Sequence, residues 1–242
     1  SGLEINEGRA NANKLMFRFL KQAVTENEAR LAWVDGGGLR NAIPFDCKAI
    51  ICIPREAHDE VMDLVNEWES TFLREYNGIE DNLFFRAQQT DMPAGMMPEM
   101  VQDDLINAIT ACPNGVARVM NDMPTLVETS NNLARVVSDG TTITVKCLTR
   151  SAIESRKEEL VSMITSLFSL AGAQVELSGS YPGWKLNTNS PLLQKMQDQY
   201  RMQFNTDAHV VTIHAGLECG IIGRNYPDID MVSFGPTIEQ IG

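Results

Sequence analysis

The chain of 242 residues lacks the long apolar runs of a membrane protein. Its longest apolar stretches, such as 49–53 and 210–213, are far shorter than the roughly 20 residues that cross a bilayer. No basic segment followed by an apolar one opens the chain. We therefore expect neither membrane insertion nor export.

Positive charge is also scarce, because 20 lysine and arginine residues stand against 32 aspartate and glutamate residues. The formal net charge of −12 would repel a phosphate backbone, so nucleic acid is not an expected partner. The five cysteines form an odd set without a CxxC pair, which argues against a disulfide framework. We expect free thiols and a cytoplasmic protein.

Hydrophobic periodicity predicts most of the secondary structure. Helices are predicted at 9–23, 55–76, 99–110 and 152–171, strands at 30–34, 47–53, 115–120, 126–137, 142–148 and 174–177, and turns at 35–38 and 139–140. The order helix, strand, strand, helix occurs first, and a similar order, with a third strand before the closing helix, follows it. We therefore predict an α/β (α+β) fold for residues 1–180, built from two similar ferredoxin-like α/β sandwich units, 1–90 and 91–180, with antiparallel sheets.

The pattern changes after residue 180. A helix is predicted from the Asn189-Ser190-Pro191 cap to about residue 204, with strands at 209–213 and 230–234. About 60 residues are too few for a closed core. We expect 181–242 to be one part of a larger α/β domain.

The segment HAGLECG, residues 214–220, follows directly on the predicted strand 209–213. Its glycines would let a histidine and a glutamate emerge at the carboxyl end of the strand, where open α/β sheets bind ligands. The same residues could equally form a hydrogen-bonded structural loop. Spacing alone does not separate the two interpretations.

Ordered motifs along the whole chain carry a resemblance. They are SGLEINEGRANANK (1–14), GGGLRNAIP (36–44), CPNGV (112–116), VETS (127–130), YPGW (181–184), NSPLL (189–193), HAGLECG (214–220) and DMVSFGPTI (230–238). With these motifs the chain resembles the aminoacyl-histidine dipeptidases, a carnosinase-like branch of the two-zinc peptidases that cleaves Xaa-His dipeptides. The resemblance implies that 1–180 is the lid domain and 181–242 an incomplete part of the catalytic domain.

The resemblance also implies where the metals lie. In the family, two divalent ions, zinc by this interpretation, are held by a His-x-Asp segment, a Glu-Glu pair and a further Asp that would precede this chain, and by a His that would follow it. We therefore expect a fragment without metal ligands, inactive by itself. Its expected partners are the dipeptide substrate, the rest of the catalytic domain and a second copy in a homodimer.

Four residues are candidates for substrate binding by the same resemblance. Asn41 matches a lid asparagine that reaches the substrate, and Arg150 an arginine that holds its C-terminal carboxylate. His214 and Glu218 belong to a loop that lines the substrate pocket. The alternatives are a turn-forming Asn41, a solvated Arg150 at a strand end, and capping roles for His214 and Glu218.

Two hypotheses follow for function. The first is the dipeptidase fragment, in which this chain supplies a substrate clamp. The second is a stand-alone binding or dimerisation module without hydrolysis.

Arg40 and Arg55 are competing candidates for the carboxylate-binding arginine, although their positions match the family less well.

Overall fold

The computed structural model describes residues 2–121, 124–184, 187, 189–210 and 218–235. The helices are α1 (Ala12–Glu26), α2 (His58–Glu75), α3 (Glu99–Ala111), α4 (Glu154–Leu170), α5 (Pro191–Phe204) and α6 (Glu218–Asn225). The strands are β1 (Arg30–Gly37), β2 (Cys47–Cys52), β3 (Gly115–Val119), β4 (Val127–Ser138) and β5 (Ile143–Ser151). Short 3-10 helices cover Gly2–Glu7 and Arg55–Ala57.

The strands pair in the order β2-β1-β4-β3, and β5 also pairs with β4. β1 runs antiparallel to both β2 and β4. The predicted mixed α/β class with antiparallel pairing is confirmed. Three predicted elements are wrong: 35–38 is not a turn throughout, because β1 continues to Gly37, and 174–177 and 230–234 form no strands.

The glycines at the end of β1 are required by neighbouring atoms and not by a turn. A Cβ on Gly36 would lie 1.9 Å from Asn13 Oδ1 and 2.5 Å from Cys47 Sγ. Gly37 has φ of +76°, and a Cβ there would lie 2.0 Å from the backbone oxygen of Ala134. A glycine run inside a strand therefore marks a close backbone approach.

We expect Gly37→Ala to lower the free energy of unfolding by about 2 kcal/mol or more, since left-handed strain and a backbone clash add. Gly38→Ala is the matched control, because a Cβ at Gly38 meets nothing within 4 Å. It should change stability by less than about 0.5 kcal/mol. Urea unfolding of both variants measures the difference, and equal midpoints would contradict the steric account.

Helix α1 buries side chains on more than one face. Leu15 and Phe19 belong to the predicted apolar stripe, but Asn13 and Phe17 are also buried. The helix contacts α2, α3, β1 and β2, which explains why it has no wholly exposed side. Lys14 Nζ lies at the end of α3 and donates to three backbone oxygens, those of Ile109, Thr110 and Cys112, at 2.8, 2.8 and 2.9 Å.

The chain forms two compact units. Unit 1 comprises Ser1–Gly115, Asn131–Leu148 and Ser162–Val175, and unit 2 comprises Val116–Ser130, Thr149–Val161 and Glu176–Gly242. The predicted domains 1–180 and 181–242, and the repeats 1–90 and 91–180, stay predictions. Among the described residues, no helix combines the length and the apolar character that a membrane span needs.

Candidate functional site

In unit 1, backbone hydrogen bonds hold the segment between β1 and β2 at several points. The Gly37 N–H donates to the Asp46 oxygen at 3.0 Å, and the Ala12 N–H donates to the Pro44 oxygen at 2.9 Å. A turn closes between them, where the Ala42 N–H donates to the Leu39 oxygen at 3.1 Å. These bonds hold the loop at its base and at its tip.

The side chain of Asn132 adds two further bonds to this turn. Its Nδ2 donates to the backbone oxygens of Arg40 at 3.0 Å and Ala42 at 2.7 Å. Asn132 lies in β4 and is buried. The two residues whose carbonyls it binds flank Asn41 on either side.

Asn41 lies at the exposed tip of the turn. Within the described part of the chain, no hydrogen bond of its side chain is found, so its amide is not used to hold its own loop. Leu39 and Phe45 in the same loop are 73% and 91% exposed. A rigid turn thus presents a free amide beside two exposed apolar side chains.

In unit 2, Arg150 lies near the end of β5. Its Nε and Nη1 atoms are buried and have no hydrogen-bond partner among the described residues. By contrast, Arg40 and Arg55 are exposed. Arg150 as a whole is half-buried, and two buried N–H groups without acceptors are costly, so the position suits an arginine that receives a carboxylate from elsewhere.

Glycines let three segments of unit 2 approach one another closely. A Cβ on Gly183 would lie 2.6 Å from the Ser151 oxygen, and a Cβ on Gly220 would lie 2.6 Å from the Pro182 oxygen. The strand end that carries Arg150, the YPGW segment and the first turn of α6 therefore pack backbone to backbone. This contact explains Gly183 of the YPGW motif and Gly220 of the HAGLECG motif by close backbone packing.

A cavity of about 460 Å³ lies beside this contact. Its walls include Trp184, Cys219, Arg224 and Asp230. Glu218 is the first residue of α6 and is exposed, next to the lining residue Cys219. His214 and the rest of 211–217 lie outside the described residues, so its predicted role stays a prediction.

Asp230 holds the start of α5. It accepts hydrogen bonds from Ser190 Oγ at 2.7 Å and from the Leu192 N–H at 3.0 Å, while Ser190 Oγ accepts from the Leu193 N–H. The Leu192 and Ser190 bonds lower the pKa of Asp230 below its usual range. Sequence analysis found the Ser190 cap but missed Asp230, which lies forty positions away and appeared to be the start of a strand.

The thiols offer no activated nucleophile at Cys112 or Cys47. Cys112 Sγ lies 3.9 Å from Cys147 Sγ, and its bond to Cys147 together with burial raises the pKa of Cys112. The same bond lowers the pKa of Cys147. Burial raises the pKa of the Cys47 thiol to about 12. All five cysteines are free in the structure.

Metal ligation has no evident place in the part of the chain that the structure describes. There, no group of three or more His, Cys, Asp or Glu side chains is arranged to hold an ion. Two of the candidate groups are a guanidinium, at Arg150 in unit 2, and a side-chain amide, at Asn41 in unit 1. These groups recognise a carboxylate and a carbonyl oxygen.

Comparison with known proteins gives a consistent result, although no protein-family model matches the chain. The chain is 40% identical over 238 residues to the cytosol non-specific dipeptidase of Escherichia coli strain K12, covering 98% of this chain and 49% of that protein. It matches the crystal structure of aminoacylhistidine dipeptidase from Vibrio alginolyticus with a TM-score of 0.91 and 38% identity, over 98% of this chain and 48% of that one. The chain thus spans about half the length of these relatives, and the resemblance inferred from the motifs is confirmed.

Proposed function

The chain is a homologue of aminoacylhistidine and cytosol non-specific dipeptidases along the half of their length that it matches, and on that premise we propose that it supplies the substrate-binding part of a dipeptidase. The substrate class is Xaa-His dipeptides such as carnosine. The name of the Escherichia coli relative supports a cytosolic location.

The observation that carries the proposal is the pair of buried Arg150 nitrogens, Nε and Nη1, that have no hydrogen-bond partner among the described residues. A free dipeptide carries a C-terminal carboxylate, which a guanidinium binds through two parallel hydrogen bonds. Binding would give Nε and Nη1 the acceptors that the described residues do not provide. Arg150 therefore fixes the C-terminal end of the substrate.

Asn41 acts on a different part of the substrate. Its amide can donate to the oxygen of the scissile carbonyl, and this bond strengthens as negative charge develops there. The turn that carries it is held by backbone bonds and by Asn132, so the donor is positioned before the reaction begins. Glu218 contacts the substrate from the first turn of α6. The HAGLECG motif assigns substrate contact to His214 as well.

The remaining half of the dipeptidase is the partner of unit 2. Helix α5 has no buried residue, although Leu192, Tyr200, Met202 and Phe204 are apolar or aromatic and substantially exposed. An α-helix of an α/β domain normally packs one face on a core. The rest of the catalytic domain would cover some of these exposed side chains, and a homodimer remains a further proposal.

Two divalent metal ions, zinc by our proposal, are needed for hydrolysis, and the described residues do not form a site for them. When bound, such ions supply an activated water for attack on the peptide bond. The residues of this chain bind the substrate: they hold its C-terminal carboxylate and donate a hydrogen bond to its scissile carbonyl oxygen.

We expect the purified chain to release no histidine from carnosine in the presence of zinc or manganese, because three protein ligands are the usual minimum for a catalytic metal. The dipeptidase that carries this segment with the rest of the matched length should release it. Histidine is measured by chromatography. Turnover that co-purifies with the chain alone would contradict the assignment, and an inactive longer protein would favour a non-catalytic binding module.

A further inference from the structure

Asn132 is buried in β4, yet both of its amide N–H groups are directed to the turn that displays Asn41. The two acceptors are the carbonyl oxygens of Arg40 and Ala42, which fix the orientation of the amide, since a flipped amide would place an oxygen against two oxygens. Its own Oδ1 is buried without a hydrogen-bond partner in the described residues. The Asn132 side chain therefore donates to two carbonyl oxygens of the turn, while its own acceptor, Oδ1, receives no hydrogen bond from the described residues.

The surrounding bonds do not duplicate this contact. The Gly37–Asp46 and Ala12–Pro44 bonds hold the base of the loop, and the Ala42–Leu39 bond closes the turn on itself. Only the Asn132 side chain, among the described contacts, ties the tip to β4. Asn41 lies between the two residues whose carbonyl oxygens Asn132 binds, so the position of Asn41 depends on Asn132.

We infer that Asn132 is a positioning residue, which holds the turn so that the Asn41 amide meets the developing charge on the scissile oxygen. This inference rests on the proposed role of Asn41. A displacement of about 1 Å in such a group can lower the rate about a hundredfold, so the anchor affects turnover although it touches no substrate.

The chain itself provides the first test. Asn132→Ala and Asn132→Leu both remove the donors, and Leu keeps nearly the side-chain volume in case Ala leaves a damaging cavity. Either folded variant should speed amide hydrogen exchange in residues 39–43. Asn131→Ala is the control, because Asn131 is the buried neighbour in β4 and donates instead to the Pro113 oxygen at 2.7 Å. Unchanged exchange in the turn of the Asn132 variants would overturn the inference.

The second test measures turnover in the dipeptidase that carries this segment. We expect kcat per folded molecule to fall about ten- to a hundredfold in Asn132→Leu, with KM nearly unchanged, and Asn131→Ala to keep its kcat. If Asn132 acts through Asn41, the double variant Asn41→Ala/Asn132→Leu should lose no more than Asn41→Ala alone. Losses that multiply would overturn the inference. An unaltered kcat in Asn41→Ala alone would instead overturn the proposed role of Asn41, whatever the exchange data show.

Discussion

Replacing Arg150 by alanine in the proposed dipeptidase that carries this segment should reduce kcat/KM by roughly 30- to 4,000-fold. Removing one partner of a buried, hydrogen-bonded charge pair costs about 2–5 kcal/mol, and each 1.4 kcal/mol is about tenfold. The Nε and Nη1 atoms of Arg150 have no hydrogen-bond partner among the described residues, so the fold does not depend on bonds from these two atoms. We therefore expect the melting temperature to be retained.

Two further variants distinguish the loss of the carboxylate contact from a general loss of positive charge. Arg150→Lys keeps the charge but not the paired donors, and should recover only part of the activity. Arg55→Ala removes an exposed arginine from a 3-10 helix and should leave kcat/KM unchanged.

The substrate offers a complementary measurement. A dipeptide with a C-terminal amide lacks the carboxylate, so the unaltered enzyme should cleave it as poorly as Arg150→Ala cleaves the free acid. If both substrates are cleaved equally well by the unaltered enzyme, Arg150 does not bind the carboxylate.

Local patterns in the sequence predicted the elements that depend on local physics. The apolar spacing of α1 and α2 and the Ser190-Pro191 cap of α5 are examples, because helix periodicity and capping involve residues within a turn or two. The fold class followed from the order of these elements.

The errors arose where distant contacts decide. Glycines at 36 and 37 predicted a turn, but they allow Asn13, Cys47 and Ala134 to approach β1. Asp230 is the first residue of a predicted strand, 230–234, yet it caps α5. No local signal contains either contact.

The residues of the candidate site also fall into those that the sequence indicated and those that it did not. Asn41 and Arg150 came from the resemblance, and their roles stay predictions. Asn132 was missed, although a signal existed: the predicted strand 126–137 contains a polar run that ends in two adjacent asparagines, and β4 buries both. Buried polar side chains need partners, so such a pair predicts a specific contact with another segment.

Asn41→Ala in the same dipeptidase should lower kcat about a hundred- to a thousandfold, the usual cost of losing one donor to a developing oxyanion. The melting temperature should not change, because the Asn41 side chain is exposed and makes no hydrogen bond with the described residues. Asn41→Asp should lose turnover as well, since aspartate also favours turns but has no amide to donate.

An exposed asparagine on a helix provides the comparison for Asn41. Asn66 lies exposed in α2, and Asn66→Ala should keep both kcat and the melting temperature. If Asn41 only shapes its turn, the opposite pattern is expected: Asn41→Ala melts at a lower temperature and keeps its turnover, while Asn41→Asp resembles the unaltered enzyme. Steady-state kinetics normalised to folded protein, together with thermal melts, separate a catalytic donor from a turn former, because only the donor role couples turnover to the amide itself.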